Sequence, residues 1–364
     1  MRVLGLCSYP IEAAATRYRL AQFVEPLAAR GIELEMSPFL DSRRFARLYE
    51  GSSPFEKVFG LGGPLVKRLS EVLKARRYDA LFVQREAMLF GPAVFEWLLQ
   101  RAGRLPLVLD LDDATYIPYE SPTYGRLGSF FKFFGKTDRL IERAETVICG
   151  NRFIAEYVEK KGTKTAIVPT VVDTDKFVPV EKDNAVPVLG WIGTHSTFPL
   201  LESIFPVLQR LAAEHRFVLR IVGAGRPDVA LAGVEIDNRP WSLEREVRDF
   251  QTLDVGLYPI AVSASASNEW LLGKSGFKAI QYLTVGIPYV VTPVGVCAEI
   301  GIEGETHFFA RTEDEWFASL SALLESAELR RKMGAKGREN ALENYTISQQ
   351  VNKIADTLKG LPKS

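Results

Sequence analysis

Histidine and cysteine are scarce in this chain, at three each in 364 residues, with only four methionines. The cysteines, Cys7, Cys149 and Cys297, lie far apart and each sits among apolar residues. An odd, scattered set excludes a disulfide framework and points to buried, reduced thiols. No His and Cys fall at metal-ligand spacing, so no metal is expected. No apolar run approaches the ~20 residues that span a bilayer. The opening MRVLGLCSYP is too short in its apolar part for a secretory signal and reads as a first strand. The expectation is a cytoplasmic protein. Net charge is zero, which argues against a dedicated nucleic-acid binder, because phosphate backbones select basic surfaces.

What is present is an ordinary globular composition, 47% hydrophobic and 25% charged. The length implies about two domains. Residues 1–180 carry 26 Lys and Arg against 22 Asp and Glu, leaving 19 against 23 for the rest. That asymmetry is either scatter or a mildly basic domain able to lean on the inner face of an anionic membrane.

Both halves repeat one pattern. In the first, strands are expected at RVLGLCS, IELEMSP, 80–84, 106–113, 146–150 and 164–170, with helices at 17–30, 64–77, 91–103, 137–145 and 151–161. In the second, strands at 187–193, 217–223, 234–240, 254–259 and 288–293 alternate with helices at 198–214, 243–252, 275–285, 312–325 and 328–342. Short apolar runs alternating with helices predict an α/β fold with parallel sheets. Residues 1–172 read as an acceptor-side domain, 173–186 as a polar linker, 187–345 as a donor domain, and 346–364 as a helix crossing back to the first domain. Two Rossmann-like domains facing one another leave a cleft at the carboxyl ends of their strands, where ligands bind.

Candidate residues follow from that placement. Lys274 and Lys278 flank the start of a helix, where the free amides near Gly276 and Phe277 and the partial positive charge suit a phosphate. Gln281, three residues beyond Lys278, is placed to bond a ribose hydroxyl. The competing reading is a helix start with solvated lysines. Arg17 or Arg19, after the first strand, offers a fork for a phosphate, or lies solvated on its helix. Asp110, Asp112 and Asp113 follow a buried strand and are expected to project into the cleft. Asp110 is the candidate for orienting an acceptor hydroxyl, against an acidic helix cap at Asp112 or Asp113 or a metal-holding D-x-D at Asp110 and Asp112. His195 donates to a phosphate or closes its loop. Trp270 and Glu269 precede the lysines and could touch the sugar, Trp270 more as packing. The run 129–136, with four Phe and two Lys, is either core or a membrane-interface segment.

The segment GKSGFKAIQYLTVGIPYVVTPVG resembles the signature stretch of glycosyltransferase family 4, in which E-x7-E leads into an A-x-G-x-P-V-V turn. Gln281 stands where the second Glu falls, Gly273 near the first, as in the variant G-K-x-x-x-K-x-x-Q-Y. GWIGTHSTFPLLESIFPVLQRL, FVLRIVGAG, AIVPTVVDTDKFVP and RRKMGAKGRENALENYT are similar to further family segments, in the same order. The resemblance implies the GT-B fold and transfer, with retention, of a sugar from a nucleoside diphosphate sugar to a hydroxyl acceptor: a glycan, a lipid-linked or a small molecule. It puts Gly193 and Thr194 under the diphosphate and Val222 and Gly223 near the nucleobase. Two alternatives remain, a GT-B sugar-nucleotide epimerase and a non-catalytic nucleotide-sugar-binding relative.

Overall fold

Runs of Val, Leu and Ile with almost no polar interruption cannot leave a face in water, and they become inner strands of parallel sheets. The computed structural model describes residues 1–49, 62–118, 132–182, 184–260 and 268–362. They form two units, Met1–Thr170 with Ile347–Ser364, and Val171–Thr346.

The first unit holds β1 (Arg2–Cys7), β2 (Glu33–Pro38), β3 (Ala80–Gln84), β4 (Leu107–Leu111), β5 (Thr146–Cys149) and β6 (Lys164–Ile167), ordered β2-β1-β3-β4-β5-β6. Every pair is parallel. The chain turns to the other side of β1 when it lays down β3, which makes β1 and β3 the switch point. The C-terminal helix Ile347–Lys359 belongs to this unit. It buries Val351, Ile354, Ala355 and Leu358 and lies on the helix Val24–Ala28, with Arg30 Nε donating to Asn352 Oδ1 at 2.9 Å.

The second unit holds β7 (Val188–Ile192), β8 (Val218–Val222), β9 (Glu235–Arg239), β10 (Val255–Tyr258), β11 (Tyr289–Val291) and β12 (His307–Phe309), ordered β12-β11-β10-β7-β8-β9 and parallel throughout. This is the Rossmann order, with β7 and β10 at the switch point. The segment 173–186 packs within this unit. Phe177 is buried, and Arg338 donates to the carbonyls of Phe177 (2.7 Å) and Thr174 (2.8 Å).

Differences from the sequence reading have local causes. The stretch 198–214 is two helices, Phe198–Glu202 and Phe205–Glu214. Pro206 lacks an N–H and its ring clashes with the carbonyl four residues back, so the helix restarts there. Residues 17–30 likewise divide into Ala14–Arg19, a 3-10 turn at Ala21–Phe23, and Val24–Ala28, which carries Pro26 in its first turn. Helices Ser42–Tyr49 and Asn268–Leu272 and strand β12 were not expected. All three cysteines are buried and free, and burial pushes their thiols up to about 11 (Cys7) and about 12 (Cys149, Cys297). Among the described residues no helix is long and apolar enough to cross a membrane.

Candidate functional site

In the second unit β7 and β10 pair with Gly190 opposite Gly256, and the chain leaves them toward opposite edges of the sheet. Such a point opens a crevice at the carboxyl ends of the strands. The turn Gly193-Thr194-His195 follows β7. Gly193 N–H donates to the carbonyl of Val222, the last residue of β8, at 3.0 Å. Gly223 has φ +82°, and a Cβ there would overlap the Gly193 carbonyl. Only glycine lets the two loops touch backbone to backbone. The Thr194 carbonyl accepts from the N–H groups of Thr197 (2.9 Å) and Phe198 (3.0 Å), which opens the helix Phe198–Glu202. Thr194 is exposed, Gly193 and His195 are half-buried, and His195 Cβ lies 3.1 Å from where a Cβ of Gly225 would stand. Gly193, Thr194, His195, Val222 and Gly223 are therefore one cluster. Trp241, after β9, joins it, its Cβ 3.2 Å from the same position on Gly223.

The helix Phe277–Thr284 starts after Gly276, whose φ is +64° and whose missing side chain leaves room for Ile300 and Val296. Tyr282 anchors it. Its buried ring lies on Gly256, 2.7 Å from where a Cβ would be, and its hydroxyl donates to the carbonyls of Gly190 (3.2 Å) and Leu257 (3.1 Å). The helix is thereby tied to both switch-point strands. Lys278 Nζ lies 5.3 Å from the ring centre of Tyr258, the last residue of β10, and Lys274 Nζ 3.4 Å from that of Trp270. Both lysines are half-buried, Glu269 is exposed and Gln281 is buried. Both ammonium charges act on the thiol of Cys297, opposing the upward push of its burial.

The first unit requires a correction. Asp110 does not project past the end of its strand. β4 runs on to Leu111, so the carboxylate lies inside the sheet edge, buried, with Arg19 Nε 3.0 Å from Oδ2, Arg19 Nη2 on Oδ1, and Arg19 Nη1 donating to the Val168 carbonyl at 2.6 Å. Asp112 is held by Arg85 through Nε–Oδ1 (2.6 Å) and Nη2–Oδ2 (2.7 Å), and Arg85 Nη2 also reaches Asp113 at 2.9 Å. Burial pushes the Asp110 carboxyl above the usual range against the pull of Arg19. Burial pushes Asp112 up as well, but the Arg85 guanidinium, together with Arg19, holds it below that range. The oxygens of the D-x-D thus face guanidinium groups. Arg17 braces the loop after β1, Nη1 donating to the carbonyls of Ile11 (2.9 Å) and Glu12 (3.1 Å).

Arg85, Trp241 and Tyr258 were not singled out in the sequence. Arg85 had a readable signal, a charge one residue past the buried strand β3, and Gln84 stands opposite Asp110 in the pairing. Of the run 129–136, residues 129–131 lie outside the described residues. Phe133 is exposed, and Lys136 is buried on Glu86 at 2.7 Å.

No protein-family model matches the chain, and no curated protein matches it. Solved structures do. HepE of Anabaena in complex with UDP-glucose is 16% identical over 99% of this chain and 100% of its own, with a TM-score of 0.69. Sucrose-phosphate synthase of Thermosynechococcus elongatus is 14% identical over 98% of both chains at 0.66. The lipopolysaccharide outer core galactosyltransferase WaaB in its apo form is 13% identical over 99% of both at 0.56. At such identities the likeness shows the fold alone. Two six-stranded parallel sheets, each covered by helices, together with these neighbours, make it the GT-B fold.

Proposed function

We propose that this GT-B chain is a family 4-type glycosyltransferase, moving a sugar from a nucleoside diphosphate sugar to a hydroxyl acceptor with retention and without a metal ion. One observation carries the reading. A glycine-lined backbone turn (Gly193 on Gly223) and a helix start bearing Lys274 and Lys278 lie at the carboxyl ends of the adjacent strands β7 and β10. The departing diphosphate gains negative charge in the transition state, and fixed amides and cations beside it lower that barrier selectively. In this proposal the amides near Gly276 and Phe277, Lys274, Lys278 and the Gly193-Thr194-His195 turn take the diphosphate. Gln281 serves the ribose, and Val222-Gly223 with Trp241 the base. Asp110 becomes a positioning residue, fixing Arg19 under the sheet edge, and Arg17 holds the β1 loop. HepE forms a complex with UDP-glucose, which makes UDP-glucose the first donor to test here.

The test is UDP affinity by calorimetry and turnover of UDP-glucose, for the native chain and for Lys274→Ala and Lys278→Ala. Each loses a charge-assisted hydrogen bond, so affinity should fall about tenfold or more and kcat/KM about 10²-fold. Thermal melting should hardly change, and EDTA should leave the affinity intact. Unaltered UDP binding in both variants overturns the proposal.

A further inference from the structure

The helix Gly62–Leu73 is inside out. An amphipathic surface helix normally turns its apolar stripe to the core. Here the inward face carries Pro64, Arg68 and Glu71, all buried. Arg68, at 0% exposure, donates to the carbonyls of Cys7 (3.0 Å), Ser37 (3.0 Å) and Ala87 (2.8 Å) and pairs with Glu71 at 2.9 Å. The outward face carries Leu65, Val66, Leu69 and Leu73, exposed by 37%, 66%, 52% and 88%. Four large apolar side chains within nine residues on one exposed face are not the scatter normal on a soluble surface.

The charges around the stripe are mostly positive. Lys74, Arg76 and Arg77 follow it directly and are exposed. The neighbouring helix Ser42–Tyr49 brings Arg43, also exposed, and Arg44, whose Nη2 lies 3.2 Å from where a Cβ of Gly63 would stand. The two acids within these described stretches are already engaged, Asp41 by Arg44 and Glu71 by Arg68. An apolar ridge rimmed by cations complements an anionic lipid surface, whose acyl boundary takes Leu and Val and whose headgroups take Lys and Arg.

We infer that Leu65, Val66, Leu69 and Leu73, with Arg43, Lys74, Arg76 and Arg77, form a docking face for an anionic membrane. This inference stands apart from the proposed sugar transfer, since neither nucleotide nor turnover enters its test. The full chain is floated with vesicles of phosphatidylcholine alone and of phosphatidylcholine with phosphatidylglycerol in equal parts. It should float with the acidic vesicles, lose binding as salt is raised, and stay behind with the neutral ones. Leu69→Ser with Leu73→Ser, and separately Lys74→Glu with Arg76→Glu and Arg77→Glu, should each weaken binding about tenfold or more. These positions are solvent-exposed, and an unchanged circular-dichroism melt verifies that each variant folds. Absence of binding to acidic vesicles, equal binding to neutral ones, or binding that both variants retain overturns the inference. So does concentration-dependent self-association in sedimentation that the serine variant abolishes while vesicle binding is missing.

Discussion

Arg19 and Asp110 are the most consequential pair among the single residues, because both charges are buried and each is the strongest opposite charge acting on the other. Removing one partner strands the other in a low dielectric. Asp110→Ala should lower stability by about 3–5 kcal/mol, whereas Asp110→Ala with Arg19→Met should recover part of that loss. Urea midpoints decide it, and a double variant no better than the single would contradict the pairing argument. His307 gives a second residue-scale expectation. Its ring stacks on Tyr289 at 4.8 Å, Nδ1 meets Thr306 Oγ1 at 2.9 Å, and Nε2 is buried with no partner among the described residues. Burial lowers its pKa from 6.5 to about 4. The folded value lies below the unfolded one, so the contribution is complete above pH 6.5 and is lost as pH falls toward 4, reaching about 3 kcal/mol. Denaturant titrations across that window should show the slope for the native chain, and His307→Phe should flatten it.

Among elements, the helix Phe277–Thr284 is packed from behind at its C-terminal end. Gly334 and Gly337 let the helix Ala327–Asn344 come against it, and a Cβ on Gly334 would overlap the Gly286 carbonyl. Gly334→Ala must push the two apart, for a cost of about 1–3 kcal/mol. If that helix carries the lysines that hold a diphosphate, UDP affinity in Gly334→Ala should drop several-fold as well. Calorimetry beside a melting curve separates the two effects, and a variant that melts like the native chain would show that the close approach is not needed. Elements were also where the sequence reading was accurate and where it slipped. Strands β3, β4 and β7 were legible because each is an apolar run, broken by no more than one polar residue near its end (Gln84 in β3, Asp110 in β4). Helix 198–214 was misread because apolar period outweighed Pro206. β12 was missed because three residues carry too little pattern.

For the whole molecule, the first unit is built from two distant parts of the chain. Ending the chain before Ile347 removes Val351, Ile354 and Leu358 from its core, at about 2 kcal/mol for each side chain. The sum rivals the net stability of a domain. The truncated protein should be largely insoluble, or should lose protease resistance in residues 1–170 while 171–346 stays protected. Equal resistance in both would contradict the packing described. The sequence alone determined the alternation of strands and helices, and with it two parallel α/β units, because burial on both faces writes itself as local apolar runs. It also marked where glycines and lysines gather after strands, since strand ends are local too. Which charges are open was decided by tertiary structure. Asp110 and Asp112 look free in the chain, yet Arg19 and Arg85 reach them from 91 and 27 residues away. An ion pair is a matter of distance in space, and no run of neighbouring residues encodes it.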